Sequence, residues 1–440
     1  MSDLPPGWEW TTIGEVAETS LGKMLDKKQA TGMNPTPYLR NINVRWGTFD
    51  LSDLGEMDIR PDELDRVLAS PGDVIACEGG EPGRAAVWRG PGTIALQKAL
   101  HRIRPTEGIV PAYLALLLQH LALSRQLEHL FTGTTIKHLP QEKLRRVNVP
   151  LPPPSEQKRI VAAIEENLSR LDAGEAGGNS AGRRIKALEK AIITHASSTL
   201  DPPPHWRVVT VADAGTVGLG LQRSPRRHIG PNMRPYLRVA NVFEDRIDDS
   251  HVMSMDMTVS EWGRYRLRDG DVLLNEGQSP EFLGRPAIYR GDPPEVAFTN
   301  SLIRFQANAD VHPEWALLVF RSHLHNRRFM RESQITTNIA HLAAGRFKTV
   351  EFPVPPLDEQ AVRVFEARAR LDTCDRLRNE VGAGRKRAAS LRRSILAAAF
   401  SGQLVPQDPD DEPASVLLNR IRAERTSTPR VKRARKARAS

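Results

Sequence analysis

One stretch occurs twice in this chain and fixes where everything else can lie. Pro150-Leu151-Pro152-Pro153-Pro154-Ser155-Glu156-Gln157 opens a long helical pattern, and Pro353-Val354-Pro355-Pro356-Leu357-Asp358-Glu359-Gln360 opens another 203 residues later. Proline is disfavoured inside a helix and in most strands, so each run of prolines marks a boundary. Behind it, small and apolar residues return every seventh position. Ile164, Leu171, Gly178, Ile185 and Ile192 mark the first series, and Ala367, Cys374, Val381, Ala388 and Ile395 the second. Leu168 with Leu371, and Leu188 with Leu391, widen the stripe. A strict seven-residue repeat suits a helix packed along one partner. Its register persists through Gly174-Glu175-Ala176-Gly177-Gly178, which predicts a helix continuing through a weak middle. About 44 residues at 1.5 Å each give a rod of about 66 Å. The nearest partner for one rod is the other, antiparallel within one chain. Arms pairing between molecules are the alternative.

The blocks ahead of the rods repeat as well. Pro5-Pro6-Gly7-Trp8 is echoed by Pro203-Pro204-His205-Trp206, and Pro37-Tyr38-Leu39-Arg40 by Pro235-Tyr236-Leu237-Arg238, both 198 residues on. Gly72-Asp73-Val74-Ile75 returns as Gly270-Asp271-Val272-Leu273, and Ala99-Leu100-His101-Arg102 as Ser301-Leu302-Ile303-Arg304. Short apolar runs after turn signals predict strands at 73–76, 85–88 and 93–96, with counterparts at 271–274, 287–289 and 296–299. Helices are predicted over Pro111 to Phe131 and Pro313 to Phe329. The expected fold is α+β: two similar mixed α/β domains, 1–150 and 203–353, separated by a pair of long antiparallel helices, 151–202 and 354–404. Residues 405–440 form an extension with a disordered basic tail.

Composition narrows the function. A length of 440 residues with 26% charged side chains is that of a soluble multidomain chain. The apolar run Ala112 to Leu123 is too short to span a bilayer. Two distant cysteines, Cys77 and Cys374, predict reduced thiols and a cytoplasmic setting. The net charge of +9 is almost all tail, because Arg420–Ser440 holds nine basic and one acidic residue. The rest is nearly neutral, so the pI is no footprint of the folded body on nucleic acid. The tail can still add salt-sensitive attraction to phosphates.

With the two Pro-rich Glu-Gln runs, a domain before each, and the ending Ile395-Leu396-Ala397-Ala398-Ala399-Phe400-Ser401-Gly402-Gln403-Leu404, the chain resembles the specificity subunit of a type I restriction–modification enzyme over nearly its whole length. The resemblance implies two target recognition domains and a helical pair that spaces them. It implies double-stranded DNA as ligand and two methyltransferase subunits docked on the helices, with restriction and translocase subunits joining through the complex. It implies no catalysis by this chain, and no cofactor, metal or membrane is expected. A stand-alone DNA-binding or scaffolding protein of the same build is the alternative. The residues agree on catalysis. Asp201-Pro202-Pro203-Pro204 lacks the aromatic residue of an amino-methyltransferase motif. Gly79-Gly80-Glu81-Pro82-Gly83 is no phosphate loop. Asp73 with Glu78 and Asp271 with Glu276 lack the lysine of a nuclease site. His101, His129 and His138 have no metal spacing.

Sequence is read at base edges, and phosphate contacts set position. Candidates are therefore polar residues at places where the repeated frame holds but its side chains differ. Thr134, Thr135 and Lys137 face Thr336, Thr337 and Asn338 in the repeat, and Lys98 and Arg102 face Asn300 and Arg304. Arg40 and Asn41, with Arg238 and Asn241, share a Tyr-Leu-Arg frame that could equally be structural. Turn capping by the threonines and a plain solvated strand face at Lys98 and Asn300 are the competing readings. Glu156, Gln157, Glu359 and Gln360 are placed to favour helix N-termini. Different polar content in the two domains predicts an asymmetric, bipartite target with an unread spacer.

Overall fold

The computed structural model describes residues 4–25, 35–336 and 339–427. Two helices of 44 residues, Pro154–Ser197 and Leu357–Phe400, dominate it. They match the length expected from the seven-residue repeat. The first runs without a break through its glycine-rich middle. Nothing lies within 4 Å of a Cβ built on Gly174 or Gly177. Gly174→Ala and Gly177→Ala are therefore expected to stabilise the chain by about 0.5–1 kcal/mol each, because glycine loses more backbone freedom in a helix. Thermal unfolding of the single and double variants checks this, and an unchanged or lower Tm would contradict it.

By its contacts the chain falls into two compact units, one taking the chain up to Gly177 and from Gly384 on, the other Gly178–Ala383. Each unit holds one of the two sheet-rich domains and half of each long helix. In the first unit, Arg159 binds Asp411 at 2.7 Å just beyond the second helix, and Arg392 reaches back to Asp172. In the second, Arg378 meets Glu189, and Arg363 donates to the Ala196 carbonyl at 3.3 Å. Rising numbers on one helix meet falling numbers on the other, so each half-pair is antiparallel. Ile164, Leu168, Ile395, Leu396 and Ala399 join the first unit's core, and Ile185, Ile192, Ala367 and Cys374 the second's. Leu171, Leu371 and Val381 pack at the edges of these cores.

Leu188 and Leu391 do not belong to the seam, being 49% and 50% exposed. The buried stripe steps by four and then three, so the residues after Ile185 and Ala388 on that face are Glu189 and Arg392. A seven-residue repeat alone does not tell a step of three from a step of four.

The domains share one plan. A four-stranded sheet orders Ala17–Leu21, Leu100–Pro105, Val74–Cys77 and Ala85–Val87. Its counterpart orders Gly215–Leu219, Leu302–Ala307, Val272–Asn275 and Pro286–Ile288. A second sheet is centred on Pro35–Leu39 in one domain and Met233–Leu237 in the other, each parallel to a later strand (Ile94–Leu96, Ala297–Phe298). The helix after the first sheet is shorter than its apolar pattern implies. It covers Pro111–Leu123, and in the repeat Pro313–His325. Arg125 and Arg327 then turn the chain in the left-handed region, at φ 60° and 55°. Short 3-10 turns, Glu128–Leu130 and Arg328–Glu332, carry the rest of the apolar pattern.

Each domain closes on itself. Glu9–Thr12 pairs antiparallel with Asn148–Leu151, and Arg207–Thr210 with Glu351–Val354. The repeated motifs lock this closure. The Trp8 indole donates to Glu156 at 3.0 Å, and the Trp206 indole to Glu359 at 3.1 Å. Burial pushes the Glu156 carboxyl up. At Glu359 burial acts the same way, but bonds from His205, Arg363 and Trp206 outweigh it and hold the carboxyl down. Gln157 accepts from the Val110 amide at 2.9 Å and donates to Pro152 at 3.1 Å. These Glu-Gln pairs are knots joining the proline run, the opening tryptophan and the loop before the domain's helix, rather than simple helix-start residues.

The part of the extension ahead of the basic run Arg430–Arg438 is folded up to Ser427. Ala414–Ser427 is a helix, and its Ala414, Leu417, Leu418 and Ile421 stripe is buried on the first domain. Residues 428–440, with most of the basic run, lie outside the described residues. No described helix is long and apolar enough to cross a membrane.

Candidate nucleic-acid interface

In the first domain, strand Val74–Cys77 leads into Glu78-Gly79-Gly80. His138, at the far end of the loop from Thr132, lies over Gly79, where a Cβ would stand 2.9 Å from its Nδ1. The same ring nitrogen is 2.9 Å from Glu78 Oε2. Thr132 and His138 exchange backbone hydrogen bonds of 2.9 and 2.8 Å, which pinch the loop at its base. Thr134, Thr135 and Lys137 are thereby presented to solvent, with the Lys137 ammonium 5.9 Å from the Phe131 ring.

The second domain repeats this base. His341 lies over Gly277, a Cβ there meeting its ring at 3.0 Å, and its Nδ1 is 3.4 Å from Glu276 Oε2. Gln334–Thr336 and Ile339–His341 pair as an antiparallel hairpin on Gly277–Gln278. Thr336 ends the first of these strands; Thr337 and Asn338 lie outside the described residues. These Glu-Gly and His bases were missed by sequence reasoning. Their signal was present: Glu78 and Glu276 are 198 residues apart, and His138 and His341 are 203 apart, matching the offsets of their surroundings.

The remaining candidates divide. Lys98 and Asn300 are exposed at the turn between two strands, one from each sheet. Asn41 is half-buried, donates to the Gly79 carbonyl at 3.4 Å, and its own carbonyl accepts from Arg84 at 2.9 Å. Arg40 pairs with Asp53 at 2.8 Å. Arg238 stands at the same place without a carboxylate partner among the described residues, its Nε buried and unbonded. Asn241 is 2% exposed, accepts from the Arg238 amide at 3.1 Å and donates to the Asp248 carbonyl at 2.8 Å. Its structural equivalent is Asn43, which makes the matching bonds to Arg40 and Asp50, and not Asn41. Arg102, 6% exposed, donates to the Leu68 carbonyl at 2.8 Å, and Arg304 to the Arg266 carbonyl at 3.2 Å. Burial lowers the pKa of both guanidiniums. Asn241, Arg102 and Arg304 thus close loops onto the sheets, where buried polar groups must find partners.

A further basic element is the loop between Gly215–Leu219 and Met233–Leu237. Arg223, Arg226 and Arg234 are exposed on or beside it, with no carboxylate partner among the described residues. Arg234 lies 5.0 Å from the Trp262 ring and Arg223 5.8 Å from Tyr236. Guanidiniums held beside aromatic faces, free of acids, suit phosphate or base contacts. The corresponding segment of the first domain, 26–34, lies outside the described residues. Among the described residues no cluster of three or more His, Cys, Asp or Glu could hold a metal.

Comparison with known proteins agrees with this duplicated frame. Residues 5–175 match the type I restriction modification DNA specificity domain. The chain is 24% identical to the EcoKI specificity subunit of Escherichia coli K12, covering 98% of each. It is likewise 24% identical to the StySPI specificity subunit of Salmonella potsdam, again over 98% of each. A chain solved in a study of complex assembly and conformational transition of the type I R-M system superposes with a TM-score of 0.74 at 19% identity, over 92% of this chain and 100% of that one. With its two domains built on one plan and its paired long helices, the chain carries a type I restriction modification DNA specificity domain over residues 5–175 and is similar over nearly its full length to the specificity subunits of type I restriction–modification systems.

Proposed function

We propose that this chain reads an asymmetric, bipartite DNA target for a type I restriction–modification complex. In this reading domains 1–150 and 203–353 each recognise one half-site, and the helical regions 151–202 and 354–404 set an unread spacer between them. Two methyltransferase subunits dock on the helices, restriction and translocase subunits join through the complex, and the chain does no chemistry itself. The assembly works in the cytoplasm.

One observation carries this reading. The base of the presented loop is the same in both domains, a Glu-Gly under a histidine, while the polar residues beside it differ in sequence, Thr134-Thr135-Ile136-Lys137 in the first domain and Thr336-Thr337-Asn338 in the second. A constant mount beside changed polar residues is what two readers of different sequences need. The first-domain contacts are Thr134, Thr135, Lys137, Lys98, Asn41 and Arg40. The second-domain contacts are Thr336, Thr337, Asn338, Asn300 and Arg238, joined by Arg223, Arg226 and Arg234.

Mapping modified bases in cells with and without the gene tests the reading. One interrupted, non-palindromic motif is expected, and a continuous palindrome would sink it. Lys137→Ala is expected to weaken DNA binding by the assembled methyltransferase about tenfold and to lower the slope of log K against log salt by about 1, as loss of one phosphate contact should. Titrations at several salt concentrations read both. Unchanged affinity and slope would remove Lys137 from the interface.

A further inference from the structure

The seam between the long helices carries charges in a particular arrangement. The internal repeat makes Glu175 equivalent to Arg378 and Glu189 equivalent to Arg392, each pair 203 residues apart. In the second unit Arg378 binds Glu189. In the first, Arg392 binds Asp172 and lies 3.8 Å from Glu175. Glu189 and Arg392 are the better buried partners, at 17% and 18% side-chain exposure. Gly178 and Val381 are also equivalent, and a Cβ on Gly178 would stand 3.7 Å from Val381 Cγ1. Equivalent positions in contact mark the midpoint of the repeat along the helices. On either side of that midpoint, Glu175 and Glu189 of the first helix are acids, and their counterparts on the second, Arg378 and Arg392, are arginines.

The repeat makes the two helices similar enough to be confused. An antiparallel pair of two first helices in this register would set Glu175 and Asp172 against Glu189, twice over. A pair of two second helices would set Arg378 against Arg392 twice, relieved only by Asp375, which stands where Asp172 does. Like charges at a helix seam oppose pairing, and opposite charges select the partner.

We infer that Glu175, Glu189, Arg378 and Arg392 make this pairing surface heterotypic. The first long helix accepts the second and rejects its own kind. A second copy of the chain can then join through these helices only by exchanging a first helix for a second.

Three full-length variants test this: Glu175→Arg with Glu189→Arg, Arg378→Glu with Arg392→Glu, and all four changes together. Each double variant alone opposes like charges, so its Tm should fall by several degrees, and the fourfold variant should regain most of the loss. Co-expressed with different tags, the two double variants should be recovered as a two-chain species by affinity capture and light scattering, because the reversed first helix of one matches the reversed second helix of the other. Parent-like Tm in both doubles, additive loss in the fourfold variant, or separate chains after co-expression would each overturn the inference.

Discussion

Gln360→Ala is expected to lower the stability of the second unit by about 3 kcal/mol, the cost of leaving buried polar groups unpaired. The side chain is fully buried and makes three hydrogen bonds. Its Oε1 accepts from the His312 amide at 2.7 Å, and its Nε2 donates to the carbonyls of Asp310 at 2.9 Å and Pro355 at 2.8 Å. Alanine removes all three and admits no replacement. Gln157→Ala strands two partners, Val110 and Pro152, and should cost less. Glu359→Gln should cost less again, since its carboxylate is partly exposed and the replacement amide oxygen can still accept from Trp206. Urea unfolding of the three variants ranks them. If Gln360→Ala unfolds at the parent midpoint, the knot does not hold the helix to its domain.

Stability should also fall as the pH drops from 7 to 5, His323 contributing about 2 kcal/mol of the loss, with His101 and His120, whose pKa values burial also lowers, acting in the same direction. The His323 ring is buried against Phe329, and its Nε2 donates to the Glu351 carbonyl at 2.9 Å. Burial pushes its pKa down to about 4 from the ordinary 6.5. The unfolded chain therefore binds more protons than the folded one between these values. The contribution of neutral His323 is complete above pH 6.5 and is lost progressively as the pH falls toward 4. Glu244 acts in the same direction but at lower pH. Burial raises its pKa, yet bonds and charges from His325 and Arg321 bring it down to about 2, so its share is lost only below about pH 4.5. His323→Asn should make the profile between pH 7 and 5 shallower and leave the steeper acid limb. A variant with the parent's slope in that window would contradict the assignment.

The long helices were legible because their pattern is periodic and their starts are marked by proline. The strands were legible because each apolar run follows a turn signal and appears twice. Three things were hidden, each for a physical reason. Glu189 and Arg392 occupy seam positions that hydrophobic counting skips, because an ion pair can fill them as well as a leucine. The helix ends at Leu123 and His325 were overrun because apolar residues continue past them, and the left-handed Arg125 and Arg327 that stop the helix carry no glycine to announce it. Asn41 was paired with Asn241 by their neighbourhood, whereas the buried amide that closes the loop is Asn43. At the candidate interface, residue type pointed to exposed Lys98, Thr134, Thr135 and Lys137, but it could not separate Arg102 and Arg304, whose guanidiniums serve backbone carbonyls. The Glu-Gly and His bases would have been found by asking which polar residues keep the repeat's offset.

The short ribbons Glu9–Thr12 with Asn148–Leu151, and Arg207–Thr210 with Glu351–Val354, bring the beginning and finish of each domain to one neck. Whatever lies beyond that neck can be rebuilt without disturbing the scaffold, provided the tryptophan and the Glu-Gly-mounted histidine keep their seats. A whole domain can therefore be exchanged at two fixed points of the chain while the long helices stay as they are.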